Sequence, residues 1–251
     1  MVLLNFQKQY RLMPKIFQSI KEELKTIRNL IHRRINVSPK TETEIIDSFH
    51  RLYYNSYHFG KAWGDMKWLG TRVTKCPLDC WIYQEILFEQ KPDVIIECGT
   101  SHGGSALFLA SICDLLNKGR VITVDIRKQP GLPEHDRIKY LSGSSTDPQV
   151  VAKVKEHINP GEKILVILDS LHTCEHVLRE MNIYGPLVSK GSYMIVEDSN
   201  LNGHPVKAEE VPGPMEAIYE FFKNNKEFEI DKSREKLLLT WNPNGYLKKV
   251  R

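Results

Sequence analysis

Long apolar runs are missing from this chain. The longest, such as Ile164 to Leu168, are about five residues, against about 20 for a helix that crosses a bilayer, so no transmembrane segment is expected. The opening MVLLNFQKQY breaks its apolar stretch at Asn5 and has no small-residue cleavage site after it, so it does not read as a secretory leader. Cysteine is scarce, five in 251 residues, and the odd count argues against a disulfide scaffold. Cys98 and Cys113 sit in apolar surroundings, and Cys76-x-x-x-Cys80 lacks the second pair a zinc site needs. Free or structural thiols in a reducing, cytoplasmic setting are expected. Fifteen glycines and thirteen prolines exclude a collagen-like or low-complexity chain. Neither G-x-G-x-x-G nor the H-x-D/E element of an iron facial triad occurs.

What is present is ordinary for one large globular domain with an appended segment: 41% hydrophobic and 26% charged residues. The net charge of +4 is uneven. Residues 1–40 carry nine Lys/Arg and two Glu, a balance of +7, so the other 211 residues sum to −3. A nucleic-acid binder would carry its basic patch on the folded body, so no nucleic-acid partner is expected.

Three regions are read along the chain: a basic helical extension over 1–50, a helical and aromatic cap over 51–90, and an α/β domain over 91–251. In the first, Met13, Phe17, Ile20, Leu24, Ile27 and Ile31 form a heptad stripe on a helix over 13–35. The stripe predicts a homo-oligomer, and its basic remainder allows peripheral membrane contact through residues 1–40. Further helices are read at 43–54 and 78–89. The cap holds Tyr53, Tyr54, Tyr57, Phe59, Trp63, Trp68 and Trp81, read either as faces for a sugar or macrocycle or as the core of a small cap.

From residue 91, short apolar strands at 93–97, 120–125, 137–141, 163–169 and 192–197 alternate with helices near 103–117, 147–157 and 175–189. A helix at 215–224 and a hairpin of strands at 226–230 and 236–241 follow. This predicts a doubly wound, mostly parallel seven-stranded sheet with one antiparallel strand. Ligands bind such sheets at the carboxyl ends of the strands, and those ends carry the chemistry. The first runs into Glu97-Cys98-Gly99-Thr100-Ser101-His102-Gly103-Gly104-Ser105, a glycine turn opening a helix. The second ends at Asp125, placed to accept ribose hydroxyls, and the third leads to Ser144-Ser145-Thr146, a loop for the base or a helix cap. The fourth and fifth end at Asp169 and at Glu197-Asp198. Three carboxylates on adjacent strands call for a cation unless they pair with Lys or Arg or cap helices, and all-oxygen ligation favours Mg²⁺, Mn²⁺ or Ca²⁺. His172-x-x-Glu175-His176 also fits an inverted zinc-protease signature. That motif requires a continuous helix, however, and His176 is read as a helix-surface residue.

The ordered motifs ECGTSHGGSA, VDI, LDSLHTCEHV, VEDSN and NPNGYLKK resemble the cephalosporin hydroxylase / rhamnosyl O-methyltransferase family over about residues 57–250. The wider architecture is similar to catechol O-methyltransferase. The resemblance implies a Rossmann-like enzyme that uses S-adenosylmethionine and Mg²⁺ to methylate a hydroxyl of a sugar, glycolipid, polysaccharide or natural product. It implies that Glu97, Gly99, Ser101 and Ser105 line the methionine end of the cofactor, with Asp125 on the ribose and Ser145 near the adenine. Asp169, Glu197 and Asp198 become metal ligands, and His172 a base three residues after the first of them. Catechol enzymes carry Lys at that place and Asp-Asn at 197–198, so a different acceptor is expected. The alternatives are a non-catalytic module on the same fold, or the metal-dependent hydroxylase that the family's name suggests.

Overall fold

The computed structural model describes residues 20–28, 38–59, 63–127, 129–208 and 212–251. The chain divides into Met1–Phe49 and His50–Arg251. In the first unit, residues 20–28 are helical and expose Ile20, Leu24 and Ile27. The rest of the expected 13–35 helix lies outside the described residues. Helix α1, Pro39–Asn55, crosses into the second unit. Among the described residues, no helix is long and apolar enough to cross a membrane.

The second unit opens with a two-stranded hairpin, β1 (Lys67–Trp68) and β2 (Thr71–Arg72), then α2 (Pro77–Gln90). Alternation begins at β3 (Val94–Cys98), α3 (Gly104–Leu115), β4 (Arg120–Asp125), β5 (Ile138–Ser142), α4 (Pro148–Glu156), β6 (Ile164–Leu168), α5 (Cys174–Tyr184) and β7 (Tyr193–Val196). Helix α6 (Pro214–Asn224) and strands β8 (Phe228–Ile230) and β9 (Tyr246–Lys249) complete it. The sheet order is β5-β4-β3-β6-β7-β9-β8, and β9 alone runs antiparallel to its neighbours.

The strands are apolar throughout because both sheet faces are covered. Ile96, Val166 and Val196 pack with α4, α5 and α6, while their chain neighbours Ile95, Leu165 and Ile195 pack with α2 and α3 on the other face. The order of the chain reverses between β3 and β6, so a crevice opens there at the carboxyl ends.

One expected strand is wrong. Residues 236–241 do not pair in the sheet. Instead Leu239 and Trp241 turn into a separate apolar cluster with Tyr54, Trp63, Cys76 and Leu201. The last strand is Tyr246–Lys249, and β8 and β9 are joined by a long connection rather than a short polar turn. Its Lys249 is buried, with Nζ donating to the Gly185 carbonyl at 3.1 Å and lying over the Phe228 ring. That snorkelling is what lets so basic a segment serve as a strand.

Candidate active site

Cys98 and Leu168 are register partners, as are Leu168 and Val196. Gly99, Asp169 and Glu197 therefore leave the sheet side by side. The Asp169 N–H donates to the Cys98 carbonyl at 2.7 Å and the Glu197 N–H to the Leu168 carbonyl at 3.0 Å, so the last rungs hold them in place. Gly99 has φ +106°, and a Cβ there would lie 1.8 Å from the Asp169 carbonyl oxygen. Only glycine lets the two chains pass this closely.

A cleft of about 400 Å³ lies over this point. Gly99, Ser101, Asp125, Ser145 and Asp169, all expected from the sequence, share its wall. The Asp125 carboxylate accepts the N–H groups of Thr100 at 3.0 Å, Ser101 at 2.8 Å and Arg127 at 2.9 Å, fixing the glycine turn against β4. Ser105 faces a smaller recess together with Lys75 and Asp169. Glu97 departs from expectation: it is fully buried and lines neither space. Its carboxylate accepts from Ser105 and, at 2.6 Å, from Thr123, bracing the turn from below, and burial raises its pKa.

At the end of the cleft, His172 stands between two carboxylates. Its Nε2 is 3.2 Å from Asp169 Oδ1 and its Nδ1 3.3 Å from Asp198 Oδ2. Asp198 is held in the left-handed region at φ +55°, an unusual backbone state for a side chain that must be aimed. One ligand atom from each of Asp169, His172 and Asp198 falls within 4.8 Å of the others, the spacing of a metal site. Burial opposes the imidazolium, but Asp198, Asp169 and Glu197 raise the His172 pKa to about 9.

The sequence reading missed Lys75. Its buried ammonium sits on both Asp169 and Glu197. Burial alone would lower its pKa, yet Asp169, Glu197 and Glu97 hold it well above the ordinary value. The expected trio of bare carboxylates is corrected accordingly: Glu197 is paired with Lys75, and His172 stands at the open point of the cluster. Three carboxylates share this point with the Lys75 ammonium and the His172 imidazole. Burial raises the Glu197 pKa, with Asp169 adding to it, and burial also raises that of Asp198.

His176 is not a plain surface residue. It lines the cleft, with Nε2 3.1 Å from Ser170 Oγ and 3.3 Å from Ser145 Oγ. Most of the aromatic cap is core: Trp63 meets Trp241 at 4.8 Å, and Trp68 meets Phe108 at 5.0 Å between centroids. Trp81 stays 61% exposed. With Trp68, Val73, Cys80 and Phe108 it borders a second, apolar cavity of about 480 Å³, and Lys75 forms part of that wall too.

A seven-stranded sheet in this order, with its cleft at the reversal and carboxylates at the strand ends, defines a class I methyltransferase. The architecture is shared with CmcI. The chain superposes on the CmcI apo-structure with a TM-score of 0.60 at 20% identity, over 75% of this chain and 77% of that one. For a CmcI structure holding Mg and SAM the TM-score is 0.59 at 20% identity, over 76% and 79%. Residues 60–250 match the family described as Rhamnosyl O-methyltransferase/CmcI. The Rhamnosyl O-methyltransferase of Mycobacterium tuberculosis (strain ATCC 25618 / H37Rv) is 39% identical over 213 residues, covering 81% of this chain and 84% of that protein. Its counterpart in Mycobacterium leprae (strain TN) is 38% identical over 211 residues, covering 81% and 90%. The chain belongs to the Rhamnosyl O-methyltransferase/CmcI family and is an S-adenosylmethionine-dependent O-methyltransferase.

Proposed function

We propose that this enzyme methylates a hydroxyl of a sugar with the help of a divalent cation. The observation that carries the reading is the convergence of Asp169, His172 and Asp198 within 4.8 Å, with Asp169 also on the wall of the cleft that holds Asp125. The relatives named Rhamnosyl O-methyltransferase support the sugar. The apolar cavity beside Lys75 supports a sugar carried on an apolar group.

In this reading S-adenosylmethionine supplies an activated methyl group on sulfur. Asp125 takes the ribose, Gly99 and Ser101 the methionine end, and Ser145 the adenine side. Glu97 and Ser105 act on the same turn from beneath it. Asp169, Glu197 and Asp198 are the hard oxygen donors that would hold Mg²⁺. Bound there, the cation supplies Lewis acidity that lowers the pKa of a hydroxyl next to it. The carboxylate charge that keeps the His172 pKa up would be offset by a cation held there, leaving the imidazole free to accept the hydroxyl proton. Lys75, itself buried, offsets part of the charge on Asp169 and Glu197. The protein's main contribution is then to hold acceptor and donor in line.

Incubation with S-adenosylmethionine labelled in the methyl group and a panel of alkyl glycosides, with and without EDTA, tests this. Label appearing in a glycoside ether and lost with EDTA supports the reading. Transfer that ignores EDTA removes the cation from it.

A further inference from the structure

Glu180 of α5 is fully buried, yet it is not paired with a Lys or Arg in any of the ion pairs seen among the described residues. Its Oε1 accepts from Ser145 Oγ and, at 2.7 Å, from Ser170 Oγ, and His176 Nε2 lies 3.4 Å away. Its Oε2 is buried with no hydrogen-bond partner. A buried carboxylate oxygen left in that state is destabilising, so the arrangement is unfavourable as mere packing. Ser145, Ser170 and His176 all border the cleft. Glu180 sits one layer behind them.

A hydroxyl has one proton to give. Both serines give theirs backwards to Glu180, so the two serine oxygens offer the cleft lone pairs only. These two oxygens accept hydrogen bonds and cannot donate them. They lie on the side of the cleft beyond Asp125, next to Ile126, whose apolar side chain is 73% exposed and offers a face for a flat ring.

We infer that Glu180 is a specificity-determining positioning residue, which makes the base end of the cleft select a 6-aminopurine over a 6-oxopurine. An exocyclic amine donates to the serine oxygens. An exocyclic carbonyl meets lone pair with lone pair and is left unsatisfied. The inference rests on the reading of this cleft as the S-adenosylmethionine site.

Calorimetry of S-adenosylhomocysteine against S-inosylhomocysteine, its 6-oxo analogue, tests it. The wild-type protein should prefer the amino form by about 10- to 100-fold, the scale of one unsatisfied buried polar group. In Glu180→Leu no acceptor is left behind the serines, so their protons are free to turn into the cleft. The preference should fall to within about threefold, mainly because the 6-oxo ligand binds better. Ser145→Ala, which leaves the buried carboxylate in place, should lower the affinity for the amino ligand and spare the oxo ligand. It serves if Glu180→Leu does not fold. A parallel loss of both ligands at an unchanged ratio, or a wild type that binds the two equally, overturns the inference. Failure of the wild type to bind either ligand overturns instead the reading of the cleft.

Discussion

The Lys75 ammonium rests on the Glu197 carboxylate although 122 positions separate the two residues in the chain. Both are buried, and the same ammonium also reaches Asp169. Removing one member of a buried ion pair costs about 3–5 kcal/mol, because the survivor keeps its charge without a partner. Lys75→Met should therefore melt roughly 6–20 °C below wild type in EDTA, and Mg²⁺ should restore more of that loss than it adds to wild type. Unchanged melting in EDTA would mean that the pair contributes nothing to the fold.

Gly99 is the residue through which β3 and β6 approach each other. In Gly99→Ala the new Cβ would meet the Asp169 carbonyl oxygen at 1.8 Å, with φ +106° adding strain. The strand ends must spread, so a stability loss of at least about 2 kcal/mol in denaturant titrations is expected, together with loss of S-adenosylhomocysteine binding. Gly131→Ala is the control, for its Cβ would meet nothing within 4 Å, although its own positive φ will cost a little.

Asp125 both anchors the glycine turn and faces the cleft. Asp125→Ala should weaken S-adenosylhomocysteine about 10- to 100-fold by calorimetry, the scale of a lost charge-assisted hydrogen bond. Wild-type affinity in that variant would dismiss it as the ribose partner.

The apolar cavity beside Lys75 makes acceptor strength depend on what the sugar carries. Lengthening the alkyl chain of a glycoside from methyl to octyl should lower KM by at least about tenfold, since two of the seven added CH₂ groups, fully covered, already contribute about 1.6 kcal/mol. Filling the cavity with Cys80→Phe should erase that dependence and leave transfer to the methyl glycoside in place. A KM indifferent to chain length in the wild type would exclude the cavity from the acceptor site.

Residues 1–38 carry the heptad stripe, and deleting them should lower the number of chains per particle, read as the light-scattering mass divided by the chain mass. An unchanged number of chains would show that the stripe does not drive self-association.

The parallel strands were legible because burial on both faces makes them continuously apolar, and their carboxyl ends carried Asp125, Asp169, Glu197 and Asp198 in plain view. What escaped the sequence reading depends on partners distant in the chain. Lys75 sits in a segment with no periodicity, and nothing near it announces the carboxylates it meets. Glu97 looked like a ligand because a carboxylate in a strand is unusual, but Thr123 and Ser105 satisfy it inside the protein. The last strand was misplaced because Leu237, Leu238 and Leu239 outshone Tyr246-Leu247-Lys248-Lys249, whose lysine found a carbonyl and a ring to rest on. His176 carried a usable signal: Glu180 follows it by one helical turn, on a face that both residues share.

The division of labour between carboxylates and imidazole is the centre of this account. It is tested by the rate of methyl transfer as a function of Mg²⁺ concentration in wild type, Asp169→Ala and His172→Ala. Asp169→Ala should move the curve to higher Mg²⁺, with activity partly recovered there. His172→Ala should keep the wild-type midpoint while its plateau falls about 10²- to 10⁴-fold, the usual scale for loss of a general base. A His172→Ala plateau close to wild type, or an Asp169→Ala curve that does not move, would contradict it.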